Sequence, residues 1–533
     1  MKAFVFSLFL FFGFNAFGQS DSIAPSRLDK AMIPSKLSAA RRLSDQNNVR
    51  GALTEYRKVL DVDSTNFTAL YATADCYYRL KKYKVALDYL NKAVAQKSEM
   101  PDDAFLFYGK CYHRLADLDK AIEYYEKYLP IVKSVNQEFD ETRRYINECK
   151  FAKIMMKNVV PVTISNMGKE VNSRYEEYSP SITADGQRLY FTSRRNNTTG
   201  EKIDEKGDFK FFEDIYTSKL ENGIWSEAEK VEGQVNTETH DGILSVFPDG
   251  SGMYVYKNDG KNAGDIWVSQ REANGEFAAA TSLNHPINTE SFESSTSITE
   301  DGNFIYFVSE RPKGYGRGDI YFAEKNNGVW STPKNLGDII NTEGDEKFVF
   351  IHPSGKSLYF ASNGHLSLGG YDIFKSEWVD GMWTPPINLG YPINTVNEES
   401  TLSITRDNKW MYMAAEFENS LGERDLYKID ISGYPLIADP NAQRQYTKVF
   451  AKIQTKKGKP IRDWEVYWME ESGLEVGKAQ TNLKGMATTL IQVNKKYRVE
   501  IRDGSEVIQS DWIFISNDAS KTDADKTFVI TTP

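Results

Sequence analysis

The chain has 533 residues, too many for a single hydrophobic core, so several domains of roughly 100 to 250 residues are expected. Its 65 Lys and Arg against 75 Asp and Glu leave a formal net charge of −10, spread along the chain, which argues against a nucleic-acid or anionic-membrane surface as the main partner. The 30 Tyr and 30 Phe fall largely in short alternating runs of strand type, the composition of globular domains rather than of disorder.

The opening MKAFVFSLFLFFGFNAFGQS places one Lys before an apolar run from Ala3 to about Phe14, with small residues at Ala16 and Gly18. This pattern predicts a secretory signal peptide over residues 1–18, then a linker over 19–34. The run is short for a membrane span, and no later segment approaches about 18 uninterrupted apolar residues, so an exported chain with no transmembrane segment is expected; retention as a signal anchor is the alternative. No Cys stands near the cleavage point to carry a lipid. The three cysteines, Cys76, Cys111 and Cys149, are too few for a disulfide scaffold, so stability must come from packed cores.

Residues 35–158 read as helical and repetitive. ALTEYRKVL from Ala52, ALDYLNKAV from Ala86 and AIEYYEKYL from Ala121 begin 34 and 35 residues apart, and the preceding helices pair a small residue with an aromatic, Ala74 with Tyr77 and Gly109 with Tyr112. This region resembles three tetratricopeptide repeats with a closing helix from Asp140 to about Lys157. The resemblance implies a concave groove that holds a peptide or a partner's segment. Cys76 and Cys111, 35 residues apart, occupy equivalent positions and read as small buried apolar groups. DVDSTN, Asp61 to Asn66, lacks the Gly and the late Glu of a calcium loop and reads as a turn.

From 160 to 434 four landmarks recur in fixed order. An Asn followed by Ser or Thr stands at Asn172, Asn236, Asn288, Asn341 and Asn394; a turn is centred on Gly186, Gly250, Gly302, Gly355 and Asn408. Asp before Ile or Leu and an aromatic stands at Asp214, Asp265, Asp319, Asp372 and Asp425; N-G-x-W-like pairs begin at Asn222, Asn274, Asn327 and Asp380. Successive Asp landmarks lie 51, 54, 53 and 53 residues apart, a period that suits four short strands with tight turns. One four-stranded blade cannot bury both faces, so the blades should pack radially as a propeller. VTISNMGKEVNS from Val162 matches STPKNLGDIINT from Ser331 without a repeat body before it, which predicts that the first strand completes the last blade. Five blades follow, or six if Tyr434 to Gln445 hides a degenerate strand. The segments PSITADGQRLYFTSRR and SITEDGNFIYFVSERP are similar to the WD40-like repeat (PD40) of bacterial periplasmic propellers related to TolB, a resemblance that speaks to fold and not to ligand.

Residues 435–445 read as a linker, and 446–533 as strands only. Lys457 to Pro460, Thr481 to Gly485 and Tyr497 to Val499 carry a resemblance to the β-sandwich called carboxypeptidase regulatory-like, a domain without peptidase chemistry. The expected fold class is therefore multidomain, α plus all-β: an N-terminal α-solenoid, a β-propeller of five or six blades, and a C-terminal β-sandwich.

No catalytic constellation stands out. The C-terminal segment lacks G-x-S-x-G, and the five histidines, His113, His240, His285, His352 and His365, include no H-x-x-H pair. His285 and His352 lie near blade boundaries, where structural hydrogen bonds are expected. PKGYGRG, Pro312 to Gly318, leads into a strand rather than a helix, so it reads as a flexible blade loop and not a phosphate loop. SRRNNTTGEKIDEKGDFKFF, Ser193 to Phe212, reads as an insertion, either functional or tolerated. The five repeated Asp are expected to cap turns rather than to bind a cation, and Trp225, Trp330 and Trp383 to lie in the core.

The expectation is a non-catalytic periplasmic scaffold, associated with the outer membrane through protein partners, with no cofactor, metal or nucleic acid. Glycan or small-ligand capture by the propeller is the second reading, and a hydrolase the third. The domain order is similar to that of the periplasmic envelope subunit of the type IX secretion machinery. In that family an OmpA-like peptidoglycan-binding domain follows, whereas this sequence stops at TFVITTP after the sandwich, so peptidoglycan association is not carried over.

Overall fold

The structure, a computed structural model, describes residues 26–132, 137–205, 207–257, 264–379, 381–384, 386–438, 446–471, 475–503, 506–516 and 524–530. The expected signal peptide, linker residues 19–25 and 439–445, and Asp380 lie outside them. The chain divides into two compact units, Met1–Ser98 and Glu99–Pro533.

The first unit holds helices α1 (Arg27–Ala31), α2 (Ile33–Asp45), α3 (Val49–Leu60), α4 (Phe67–Arg79) and α5 (Tyr83–Val94). Helix starts earlier than the repeat pattern indicates because Ser26 and Asp29 form a reciprocal capping box at α1, inside the expected linker. Asn48 caps α3 through Gly51 N–H at 2.9 Å, and Asn66 caps α4 through Ala69 N–H at 3.1 Å. Ala40, Ala52, Tyr56 and Cys76 form a buried core between paired helices. Ala74 and Ala86 are buried too. DVDSTN is a turn in which Asp63 accepts from Thr65 N–H and Asn66 Nδ2.

The second unit begins with α6 (Asp102–Arg114), α7 (Leu118–Tyr128) and α8 (Gln137–Lys157), the last starting about one turn before the sequence pattern indicates. Asn47, Lys81 and Ala116, at equivalent points after α2, α4 and α6, have φ of 60°, 57° and 59°. In each case the next N–H reaches back five residues: Asn48 to Leu43, Lys82 to Tyr77 and Asp117 to Tyr112. This is the left-handed stop of a helix, built three times without glycine.

Five antiparallel sheets follow. Their strands run Glu177–Ile182, Arg188–Ser193 and Asp214–Glu221 in the first sheet; Asp241–Val246, Gly252–Lys257 and Asp265–Gln270 in the second; and Glu293–Ile298, Phe304–Ser309 and Asp319–Asn326 in the third. The fourth holds Glu346–Ile351, Ser357–Ser362 and Asp372–Val379, and the fifth Leu402–Ile404, Trp410–Ala415 and Asp425–Asp430. Among the described residues two short outer strands pair with the third strand in the first, third and fourth sheets, and one, Thr281–Ser282, in the second. In the fifth that place is taken by Thr163–Asn166, from the start of the β region, with Ile164 opposite Ile429.

Hydroxyls tie neighbouring sheets together. Ile182 N–H donates to Ser403 Oγ (3.1 Å), Val246 N–H to Ser181 Oγ (2.8 Å), and Val349 N–H to Ser295 Oγ (3.1 Å); His352 Nε2 lies 3.3 Å from Thr405 O. Between the sheets lie apolar layers that draw on both neighbours, such as Tyr359 and Ile373 of the fourth with Leu402 and Met411 of the fifth. Each aromatic buried there contributes about 1.5–3 kcal/mol, which is why the strands read as aromatic runs. A short helix, Pro435–Ala438, follows the fifth sheet, and the rest of the segment to Gln445 lies outside the described residues. The C-terminal part is two facing sheets, of three and four strands, around Val449, Trp468, Tyr497 and Phe528.

Candidate functional site

The Asp and Asn landmarks converge on one recurrent clasp, and the turn landmarks lie at the opposite end of the strands. Gly186, Gly250, Gly302 and Gly355 have φ of 70–73° and Asn408 has 54°, so each occupies the left-handed corner of its hairpin. The five Asp are buried at the start of their strands. Asp214 accepts from Thr199 N–H (2.6 Å), Asp319 from Tyr315 N–H (2.7 Å), Asp372 from Leu368 N–H (2.8 Å) and Asp425 from Leu421 N–H (2.7 Å). They hold the preceding loop to the strand.

The landmark Asn residues clasp the backbone of the residue after each Asp. Asn341 accepts from Ile320 N–H (2.8 Å) and donates to Ile320 O (3.0 Å); Asn236, Asn288 and Asn394 do the same to Ile215, Ile266 and Ile373. Asn172 does so to Leu426, and thereby joins the first strand of the β region to its last sheet. Asn166, Asn335 and Asn388 bridge from Asp425, Asp319 and Asp372 to the clasping Asn.

Sequence reading missed the third member, a buried acid five residues after each landmark Asn. Glu177, Asp241, Glu293, Glu346 and Glu399 are 0–2 % exposed. Each accepts from the N–H and hydroxyl of the Ser or Thr four residues before it: Ser173, Thr237, Thr289, Thr342 and Thr395. The five-residue offset is plain in the sequence once sought. In the first three sheets a cation stands beside the acid: Arg195, Lys257 and Arg311. That cation also donates to the carbonyl before the landmark Asn, as Arg311 does to Ile287 O at 2.7 Å. In the fourth sheet His365 reaches the matching carbonyl, and burial pushes Glu346 up to about 7.

The fourth and fifth sheets are the ones on which α6 to α8 pack. Leu118, Ala121, Tyr125 and Phe151 share a core with Leu368 and Val396. His113 Nε2 lies 2.9 Å from Leu368 O, and burial lowers its pKa to about 4, so it is neutral there. Arg114 donates to Val396 O (2.5 Å) and Asn397 O (3.1 Å), and Arg144 to Asn363 O (3.0 Å). Arg143 pairs with Asp463 of the C-terminal sheets at 2.9 Å. A polar cavity of about 760 Å³ lies at this junction, lined by Arg143, Arg144, Glu148, Asn363, His365 and Lys448. Burial pushes Glu148 up to about 7, with Arg144 3.5 Å away opposing the shift.

The remaining packing residues sit in helices. Gly109 lies under the Tyr125 ring, where a Cβ would come within 2.5 Å. Tyr112 stacks with Tyr124 at 5.5 Å, and Tyr77 with Tyr89 at 5.3 Å; Ala121 is buried. Cys76, Cys111 and Cys149 are free and buried, and burial pushes the first two thiols up to about 12. Trp383 is buried, while Trp225 and Trp330 are half-buried against sheet cores.

Two loops are tied to neighbouring strands by hydrogen bonds and ion pairs. In PKGYGRG, Tyr315 and Gly316 N–H donate to Asp319, Gly318 N–H donates to Asp345, and a Cβ at Gly316 would collide with the Gly344 carbonyl. The insertion is anchored by Arg194 on Asp208 and by Lys210 on Glu176 (3.0 Å) and Glu423 (2.6 Å). His240 joins Glu213 (2.6 Å) to Asp204 (3.2 Å) beside it. Burial opposes charge on this imidazole, but the two carboxylates outweigh it and hold its pKa above the ordinary value.

Residues 45–128 match the family described as anaphase-promoting complex, cyclosome, subunit 3. The N-terminal part is a tetratricopeptide repeat region. No curated protein matches the chain. Among solved structures, the first TPR of Spaghetti (RPAP3) bound to the HSP90 peptide SRMEEVD is 26 % identical, over 23 % of this chain and 94 % of that one, with a TM-score of 0.20. YrrB, a TPR protein with an unusual peptide-binding site, is 24 % identical over 25 % of this chain and 69 % of that one, at 0.21. The α-L-arabinofuranosidase PaAbf62A of Podospora anserina, in complex with cellotriose, covers 51 % of this chain and 93 % of its own at 12 % identity and 0.31. At these scores none of the three bears on activity. Among the described residues no helix is long and apolar enough to cross a membrane, and no group of three or more His, Cys, Asp or Glu is arranged to hold a metal ion.

Proposed function

We propose that this chain is a non-catalytic scaffold that binds protein partners through its tetratricopeptide repeats and through a five-bladed, TolB-like propeller built from the five sheets. The observation that carries the reading is the fixing of α6 to α8 onto the fourth and fifth sheets by His113, Arg114 and Arg144. A repeat held this way presents a rigid surface to a partner and loses little entropy on binding. Asp319, Glu346 and Asp372 support it too, because each accepts from backbone or hydroxyl donors of an adjoining loop and so serves to hold that loop. The signal-peptide-like opening segment supports a periplasmic location, with association to the outer membrane through partners, and the domain order, which resembles that of the type IX secretion envelope subunit, supports a role in such a complex.

Affinity purification of a tagged chain from native envelopes after mild crosslinking, followed by mass spectrometry, tests this. Reproducible recovery of outer-membrane or secretion-machine subunits, lost on deletion of residues 35–158, is the expected result; recovery of the chain alone overturns it.

One observation favours a second reading, ligand capture by the propeller. A cavity of about 810 Å³ between the third and fourth sheets is lined by Phe304, Tyr306, Phe322, Trp383 and a 45 % exposed Trp378, a wall on which a sugar ring could stack. Retention on a glycan array that is lost in Trp378→Ala would establish it.

A further inference from the structure

The insertion in the first sheet forms a small hairpin whose arms are Lys202–Asp204 and Lys210–Phe212. Asp204 N–H donates to Lys210 O (2.8 Å) and Phe212 N–H to Lys202 O (3.2 Å), with Ile203 bridged to Phe211. Charged side chains tie this hairpin to three sheets. Arg194, just past the second strand of the first sheet, holds Asp208 and donates to Phe211 O (2.7 Å). Lys210 reaches Glu423, ahead of the last strand of the fifth sheet, at 2.6 Å. On the segment that enters the second sheet, His240 meets Asp204, and Glu238 pairs with Lys202.

Of these ties, only the one through His240 uses a side chain whose ordinary pKa lies between about 5 and 8. Its Nδ1 lies 2.6 Å from a Glu213 oxygen and its Nε2 3.2 Å from an Asp204 oxygen. A carboxylate only accepts, and a neutral imidazole has one N–H and one lone pair. Both contacts are therefore hydrogen bonds only while the ring carries two protons. Removal of one proton turns a lone pair toward a carboxylate. The remaining proton stays with Glu213, whose contact is the shorter, so Asp204 is the partner that is lost.

The other charges nearby have partners of their own. Glu213 also accepts from Tyr178 OH, and Arg194 stands 3.9 Å from it, where it opposes charge on the ring. Asp208 is taken up by Arg194, and Asp241, next to His240, by Lys257 and Thr237. The Lys202–Glu238 pair is more than half exposed and adds little. Phe212 packs on the imidazole at 4.7 Å in a T-shaped contact that needs no charge.

We propose that the insertion is a strap across the first, second and fifth sheets, with His240 as its pH-sensitive catch. Doubly protonated, His240 holds the Lys202–Asp204 arm to the second sheet; after losing one proton it keeps Glu213 and releases Asp204, while Arg194 and Lys210 hold the other arm. Because the two carboxylates raise the proton affinity of the folded imidazole, the catch is fully closed below about pH 6.5 and opens as pH rises through the folded value.

Two measurements on the full chain test this. With the imidazole carbons labelled, the His240 signal, identified as the one missing in His240→Gln, should titrate with a midpoint above about 6.5. Hydrogen exchange read by mass spectrometry and corrected for intrinsic rates should show protection of the hairpin falling about 10- to 100-fold between about pH 6 and about pH 9, the factor that one charge-assisted hydrogen bond supplies. The strands of the third sheet should keep their protection over the same range. His240→Gln should show the lower hairpin protection at both ends of it. A His240 midpoint at or below about 6.5, hairpin protection that stays level across the midpoint in the wild-type chain, a fall shared by the third sheet, or the same fall in His240→Gln overturns the proposal.

Discussion

His365 Nε2 lies 2.8 Å from the carbonyl oxygen of Ile340, in the place where Arg195, Lys257 and Arg311 donate in the first three sheets. Burial lowers the His365 pKa to about 3, so the donor there is neutral. The acid of that sheet, Glu346, thereby lacks the cation that its counterparts have at this position.

This exchange predicts different costs for the same substitution. Glu293→Gln strands the Arg311 guanidinium without its carboxylate and should cost about 2–4 kcal/mol. Glu346→Gln replaces a group that burial keeps about half protonated near pH 7 and has no arginine or lysine to strand at that carbonyl, and should cost about 1 kcal/mol or less. Because the folded value is raised above 4.5, the Glu346 contribution is full below about pH 4.5 and is lost as pH rises through 7. Urea unfolding of both variants from about pH 5 to 8 checks the difference and shows whether Glu346→Gln flattens that slope.

His113, at the contact of α6 with Leu368, has the opposite sign. An unfolded imidazole takes up a proton near pH 6.5, whereas the folded one resists until about 4. Its contribution is therefore full above about pH 6.5 and falls as pH drops toward 4, by on the order of 1–3 kcal/mol. His113→Gln keeps a donor for Leu368 O and should flatten the acid limb. Hydrogen exchange in α6 at about pH 5 reads the same change locally.

Asn341→Ala should free both backbone groups of Ile320 and one bond to Asn335, at a cost of about 2–4 kcal/mol. Accelerated exchange of the Ile320 amide, with the amides of the second sheet unchanged, is the expected signature.

Gly109→Ala should cost about 1–3 kcal/mol, because the added methyl meets the Tyr125 ring. The melting temperature should fall, and Gly109→Ala combined with Tyr125→Leu should recover part of the loss.

Much of this was legible in the sequence. The 34- and 35-residue spacing of Ala52, Ala86 and Ala121 reports close helix packing, where only small side chains fit, and the Asp-Gly and Asn-Gly pairs report corners with positive φ. Such signals are local: a residue type is forced by its own backbone or by a neighbour one turn away. The strand Thr163–Asn166 was also legible, because it repeats a pattern whose other copies adjoin complete repeats.

What only the tertiary structure decided depends on neighbours distant in the chain. Nothing local to His365 shows that it donates where an arginine does elsewhere, and nothing near Arg114 shows that it meets carbonyls some 280 residues away. The sequence by itself determined the repeats and their turns, since periodicity and φ are properties of short segments. Burial was decided by the assembled sheets: they bury the acid of each clasp, and in the fourth they set His365 where an arginine or lysine stands in the first three, so that burial pushes Glu346 up to about 7.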